Sequence, residues 1–260
     1  FSARTIFAYA LHKYFSLVQG PNHPLIDQKT DRLTKTILSI DAWLETMRQH
    51  GGYGGPVAHR WQDNLIYTGP GIDWRYEGII LGYLILFEKT GKRLWLSKAI
   101  DAGMNIVNGQ KVDGTYLASS FEMNPLSAGT PHEAACDHAL LCLARVLKKQ
   151  GESNWKMFFQ TAEDNLKKYH LKILWNANTG YFFNQAYDSS FVPNKVSTTV
   201  ESLFLLVNFT GDTKLAEKFI KPSLKNILAC QLKDPESIFF GAIDQSHKNG
   251  KLGGRYFPYY

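Results

Sequence analysis

Three stretches decide the fold: 86-LFEKTGKRLW-95, 146-VLKKQGESNW-155 and 206-LVNFTGDTKL-215. Their glycines, Gly91, Gly151 and Gly211, follow one another at a spacing of sixty residues. Four residues after each comes Trp95, Trp155 or Leu215, and eight after comes Ala99, Phe159 or Phe219. Five before comes Leu86, Val146 or Leu206. A fixed period of this length marks a repeated supersecondary unit. Ahead of the glycine the run is apolar almost all round, as in Ile79-Ile80-Leu81-Gly82-Tyr83-Leu84-Ile85-Leu86. Behind it the pattern is amphipathic, with Lys92, Lys98 and Asp101 opposing Trp95, Leu96, Ala99, Met104 and Ile106. The first kind of helix belongs inside a fold and the second at its surface, so each unit is an inner helix, a tight Gly turn and an outer helix.

Working outward, residues near 2–18 and 31–49 form an earlier, less regular hairpin, which makes four. Long segments at 50–72, 109–130, 174–196 and 233–255 join the hairpins. Within them Asp113-Gly114-Thr115-Tyr116, Asn178-Thr179-Gly180-Tyr181-Phe182 and Phe239-Phe240-Gly241-Ala242 predict short β-ribbons. The Gly turns then lie at one end of the bundle. The long loops and the starts of the inner helices lie at the other, where function concentrates.

The chain has 260 residues and is 44% hydrophobic, enough for one large domain over 1–260. Its net charge of +6 is spread over helix faces such as Lys148-Lys149 and Lys167-Lys168, which argues against a nucleic-acid partner. No apolar run reaches the length of a membrane span. Cys136, Cys142 and Cys230 form no CxxC and no Cys/His metal spacing, so they read as buried free thiols, with no metal and no cofactor expected. Asn208-Phe209-Thr210 matches a glycosylation sequon at the end of an inner helix.

Carboxylates cluster where the inner helices begin. Thr130-Pro131-His132-Glu133 fits a capping box, and Thr198-Thr199-Val200-Glu201 fits another. Asp73 fits an N-cap. Asp137 lies too deep in its helix to cap it, among apolar neighbours, and a buried unpaired carboxylate is costly. Register makes Asp137 equivalent to Glu77 and Glu133 equivalent to Asp73, so two successive inner helices each carry a carboxylate pair at i, i+4 on one face. Two carboxylates across a cavity are the requirement of glycoside hydrolysis, one protonated as general acid and the other acting as base or nucleophile. The competing reading is a buried structural network of the same acids with arginine or histidine. Around them, Tyr53, His59, Arg60, Trp61, Asp63, Trp74, Arg75, His132 and Glu201 offer stacking surfaces and hydrogen-bonding groups suited to a sugar.

Alternating inner and outer helices resemble the (α/α) toroid of six-hairpin glycosidase-like enzymes. That resemblance implies an all-α toroid of which four of six hairpins are visible, with a chain truncated at both ends or completed by another subunit. The stretches 73-DWRYEGIILGYLILFEKTG-91 and 137-DHALLCLARVLKKQG-151 are also similar to the two helices of unsaturated glucuronyl hydrolases that carry their catalytic aspartates. This implies Asp73 and Asp137 as the catalytic pair, with Glu77 and Glu133 one turn away as further candidates. The implied partner is an oligosaccharide, and the positive charge suits an acidic one. The alternatives are a sugar epimerase, isomerase or lyase using His59, His132 or His138, and a non-enzymatic helical-repeat binding module.

Overall fold

The computed structural model describes residues 31–49, 52–59, 64–68, 71–117 and 129–245. The chain divides into two compact units, Phe1–Gly71 with Ser119–Phe121, and Ile72–Ala118 with Glu122–Tyr260.

In the first unit, helix α1 (Arg32–Thr46) begins at Asp31, whose carboxylate accepts from the Thr34 amide at 2.9 Å. Two antiparallel ribbons follow, β1 (Arg48–Gln49) with β2 (Gly52–Tyr53), and β3 (Gly55–His59) with β4 (Asn64–Thr68). Helix α1 occupies the second half of the expected first hairpin. Its first half, residues 2–18, lies outside the described residues.

The second unit contains the three sixty-residue repeats. Their inner helices are α2 (Arg75–Thr90), α4 (Ala134–Lys149) and α6 (Pro193–Thr210). Their outer helices begin as α3 (Arg93–Asn108), α5 (Trp155–Asp164) and α7 (Thr213–Leu215). Helix α5 continues as a π-helical segment, Asn165–Leu174. Helix α7 runs through a π-helical turn, Ala216–Ile220, into α8 (Lys221–Ala229). Inner helix packs on inner helix, α2 on α4 and α4 on α6, and each also packs on its own outer partner. No strand interrupts any inner helix, and the fold class is the all-α hairpin array that the register implies.

The three glycines turn the chain for one physical reason. Gly91, Gly151 and Gly211 have φ of 67°, 77° and 74°, left-handed values that cost residues with a Cβ about 1–2 kcal/mol. At Gly151 the Glu152 amide reaches back to Leu147 O at 3.0 Å and the Gly151 amide to Lys148 O at 3.2 Å, the paired bonds of a Schellman motif. Gly91 and Gly211 each donate one bond, to Phe87 O and Val207 O.

Packing is tightest around α4, the middle inner helix, whose residues from Ala139 to Ala144 are all buried. Outer helix α3 approaches so closely that a Cβ on Gly103 would lie 2.7 Å from Leu143 Cδ2 and 2.9 Å from a Phe158 ring carbon. Between α4 and α6, Ser202 Oγ donates to Ala134 O at 2.6 Å, tying two inner helices together near their starts.

Three expectations change. Helix α6 starts at Pro193 with Val192 in the N-cap position, so Thr198 and Glu201 lie inside the helix and form no capping box. Pro193 sets the first helical φ, and the hydroxyls of Ser197 and Thr198 donate back to Asn194 O instead of capping. Of the three predicted ribbons, one forms, β5 (Trp175–Asn176) with β6 (Tyr181–Phe182). The other two reduce to single bridges, Gln110 with Tyr116 and Gln231 with Ile243. Finally, α2 is not apolar-buried all round, since Ile85 is 56% exposed.

Candidate functional site

The four carboxylates named from sequence converge on the starts of α2 and α4. Cys136, fully buried, lies within electrostatic reach of Asp73, Glu77, Glu133 and Asp137, and its thiol donates to Asp73 O at 3.3 Å. The four nevertheless have different surroundings.

Asp73 is buried, and both its oxygens are taken. Oδ1 accepts from the Arg75 amide at 2.9 Å and from Arg75 Nε at 2.8 Å, and Oδ2 accepts from Arg75 Nη2 at 2.6 Å. The two-residue reach to the Arg75 amide is the local cap expected of an aspartate at a helix start.

Thr130 caps a one-turn 3₁₀ helix, Pro131–Glu133, that leads into α4. The expected capping box does not close, because the Thr130 hydroxyl accepts from the His132 amide and Glu133 turns to other donors. Its Oε1 accepts from the Gly129 amide at 2.9 Å and the Tyr116 amide at 3.1 Å, and its Oε2 accepts from Asn165 Nδ2 at 2.9 Å. It thereby joins the loop after α3, the turn before α4 and the first π-helical residue after α5. Burial pushes its carboxyl up to about 7, against the pull of those three N–H donors.

Asp137 is completely buried. Tyr116, also completely buried, donates its hydroxyl to Asp137 Oδ1 at 2.5 Å, while Oδ2 makes no hydrogen bond. Burial drives this carboxyl well above the usual range, the charge of Glu133 adds to the rise, and Tyr116 offsets part of it. The surroundings of Asp137 thus favour its protonated form over the carboxylate.

Glu77 faces the other way. His138 Nδ1 lies 2.7 Å from Glu77 Oε1, and His138 Nε2 lies 3.4 Å from Glu201 Oε1. Glu77, His138 and Glu201 come from α2, α4 and α6, three successive inner helices. Their side chains are 30%, 12% and 61% exposed, so solvent reaches this group. Burial alone would depress His138, but contacts with Cys142, Glu77 and Glu201 raise it to about 10, and it stands as an imidazolium between two carboxylates. One nitrogen, one oxygen from each glutamate, all within 4.8 Å of one another, form a compact polar cluster. A pocket of about 430 Å³ opens beside it, lined by His138, Ser197 and Glu201 and then by the apolar Phe204, Ile220 and Leu224.

The remaining candidates scatter. His132 approaches Asn194 Nδ2 at 3.5 Å; burial, with the charge of Lys195, lowers it to about 4, leaving it neutral and apart from His138. Arg75 is committed to Asp73, and Trp74 at the head of α2 is 41% exposed. Tyr53 is buried in the first unit. His59 ends β3 opposite Asn64, its side chain outside what the structure describes, and Arg60, Trp61 and Asp63 lie outside the described residues. Three residues that matter were not singled out as a network from sequence: Tyr116 and Asn165 as partners of the buried acids, and His138 as the bridge between Glu77 and Glu201. Cys136, Cys142 and Cys230 are free and buried. Among the described residues no helix is long and apolar enough to cross a membrane.

No protein-family profile and no curated protein matches the chain. Among solved structures, a GH76 α-mannanase of Bacteroides thetaiotaomicron matches with a TM-score of 0.50 and 13% identity, over 91% of this chain and 63% of that one. This chain therefore spans less than two thirds of that protein's length, and at such identity the likeness is one of fold. Three inner–outer hairpins in sixty-residue register, together with that match, give this chain the fold of the six-hairpin glycosidase-like (α/α) toroids.

Proposed function

We propose that the protein is a carbohydrate-active enzyme, a glycoside hydrolase whose working carboxylates are Glu77 and Glu201, held on either side of His138. The observation that carries this reading is that three successive inner helices each deliver one polar group to the same solvent-reached spot, beside a pocket, in a fold shared with an α-mannanase. Asp73 and Glu133 are saturated by internal hydrogen bonds, and Asp137 is sealed.

The spacing suggests the stereochemical class. The nearest oxygens of Glu77 and Glu201 lie within 4.8 Å. Retaining glycosidases hold their carboxyl groups about 5–5.5 Å apart, and inverting ones about 6.5–9.5 Å apart to admit a water. In the retaining scheme Glu77, fixed by its charge-assisted bond to His138, attacks the anomeric carbon as the bond to the leaving oxygen breaks. Glu201, more exposed and more loosely held, relays a proton from the His138 imidazolium, 3.4 Å away, to that oxygen. It then takes a proton from the water that displaces Glu77. His138 offsets the charge of the pair and fixes the attacking side chain.

Glu77→Gln and Glu201→Gln, assayed on mannan and other oligosaccharides, test the reading. Each should lower turnover by orders of magnitude, Glu77→Gln should also melt a few degrees lower because His138 loses a charged partner, and turnover within tenfold of wild type in both would end the reading. A second reading rests on Asp137, whose carboxyl is raised by burial and whose Oδ2 makes no hydrogen bond, as a general acid paired with Asp73. It predicts that Asp137→Asn abolishes turnover without a loss of stability.

A further inference from the structure

We infer that the pocket beside Glu201 is a subsite for an apolar aglycone, so that the preferred substrate is a glycoside carrying an alkyl or aryl group next to the scissile bond. The inference rests on the hydrolase reading above for the identity of the polar end.

Ser197, Glu201 and Phe204 follow one another at i, i+4 and i+7 along α6, and so share one helix face over about 10 Å. That face is polar for its first turn and apolar beyond it. Ile220 and Leu224, from the chain that returns behind α6, complete the apolar end. The volume, about 430 Å³, is that of a small-molecule site. Phe204 is 56% exposed and Leu224 42%, large apolar side chains open to solvent on adjoining elements. Ser197 donates to Asn194 O at 2.7 Å. Beyond Glu201 the apolar side chains of the walls offer no donor or acceptor to sugar hydroxyls, which would be left unpaired there. An amphiphile whose sugar lies at Glu201 and whose apolar group lies against Phe204 and Leu224 matches the order of the lining.

Calorimetric titration of the intact chain with methyl, butyl, hexyl and octyl mannosides and glucosides, below their micelle concentrations, tests this. Affinity should rise about fourfold per methylene over the first carbons, the increment of burying a CH₂. Leu224→Ser and Phe204→Ser should each flatten that slope while leaving the circular dichroism spectrum unchanged, and Glu201→Gln should preserve it. A chain-length slope near zero, a slope untouched by both pocket variants, or 1-octanol binding as tightly as the octyl glycosides would overturn the inference. So would light scattering that shows a dimer at working concentration which Leu224→Ser dissociates, because the face would then be covered by a second copy. The readout is binding. Failure to hydrolyse any glycoside therefore removes the hydrolase reading and leaves the slope to decide the pocket.

Discussion

Replacing Glu133 by Gln changes one acceptor oxygen into an NH₂ and nothing else in shape. Its Oε1 accepts from the Gly129 and Tyr116 amides and its Oε2 from Asn165 Nδ2, so in either amide orientation a donor meets a donor. Placing the new NH₂ against Asn165 invites that side chain to flip and present Oδ1. The flip turns Oδ1 toward Gly114 O, which now accepts from Asn165 Nδ2 at 2.8 Å. The mismatch moves but does not vanish. A buried donor left unpaired costs about 1–3 kcal/mol, and weakening charge-assisted bonds to the remaining oxygen adds about 1 kcal/mol. The expected loss is about 2–4 kcal/mol, or roughly 5–15 °C in melting temperature for a chain of this size. Urea and thermal unfolding at pH 8 measure it. A variant within about 0.5 kcal/mol of wild type, the range of an ordinary surface change, would refute the claim that Glu133 holds these three segments together.

The pH profile of stability should have limits on both sides. Glu133 is raised to about 7 in the fold, so its contribution is complete below its unfolded value near 4.5 and is lost as pH rises through 7. His138, raised to about 10, contributes below its unfolded 6.5 and loses that contribution as pH rises toward 10. His132 and His170, lowered by burial to about 4 and about 3, act oppositely: their contribution is present above 6.5 and is lost as pH falls through the folded values. Thermal melts should therefore peak at about pH 5–7, and a melting temperature still climbing from pH 7 to pH 9 would contradict these assignments. Gly151→Ala should cost about 1–2 kcal/mol from left-handed backbone strain alone, because nothing lies within 4 Å of the added Cβ. Gly103→Ala should cost about 1–3 kcal/mol by overpacking against Leu143 and Phe158, and Leu143→Ala in the same chain should recover part of that loss. Chemical denaturation of the single and double variants reads both.

The fold was legible because its signals are local. A glycine that must adopt positive φ, flanked by fixed apolar positions, announces itself in one sequence by repeating. Helix bounds were less legible where two local signals competed. Thr198 through Glu201 spell a capping box, but Pro193 starts the helix earlier and the hydroxyls turn back to Asn194 O. The site was legible only as a neighbourhood. Register makes Glu77 and Asp137 equivalent, yet Glu77 turns to solvent and His138 while Asp137 turns inward to Tyr116. Equivalent register positions differ in burial here, Glu77 part-exposed and Asp137 sealed, and spacing alone cannot supply that. The buried partners come from 17 and 32 residues away in the case of Tyr116 and Asn165 with Glu133, and from 61 in the case of Glu77 with His138. Such contacts are set by tertiary packing. Asn165 had one signal of its own, an amide in an otherwise amphipathic outer helix. It meets Glu133 where that helix widens into π geometry, a feature frequent at functional positions.

The central claim is that chemistry belongs to the open Glu77–His138–Glu201 group and that Asp137 is a structural acid. One paired measurement on Glu77→Gln and Asp137→Asn tests it most directly: the turnover of an oligosaccharide and the melting temperature of the same sample. The account predicts that Glu77→Gln loses at least a hundredfold in turnover and melts within a few degrees of wild type. It predicts that Asp137→Asn, whose Oδ1 still accepts from Tyr116 in a sealed site, keeps most of its turnover while folded. The reverse pattern, a dead but stable Asp137→Asn beside an active Glu77→Gln, would contradict it and return the reaction to the buried pair.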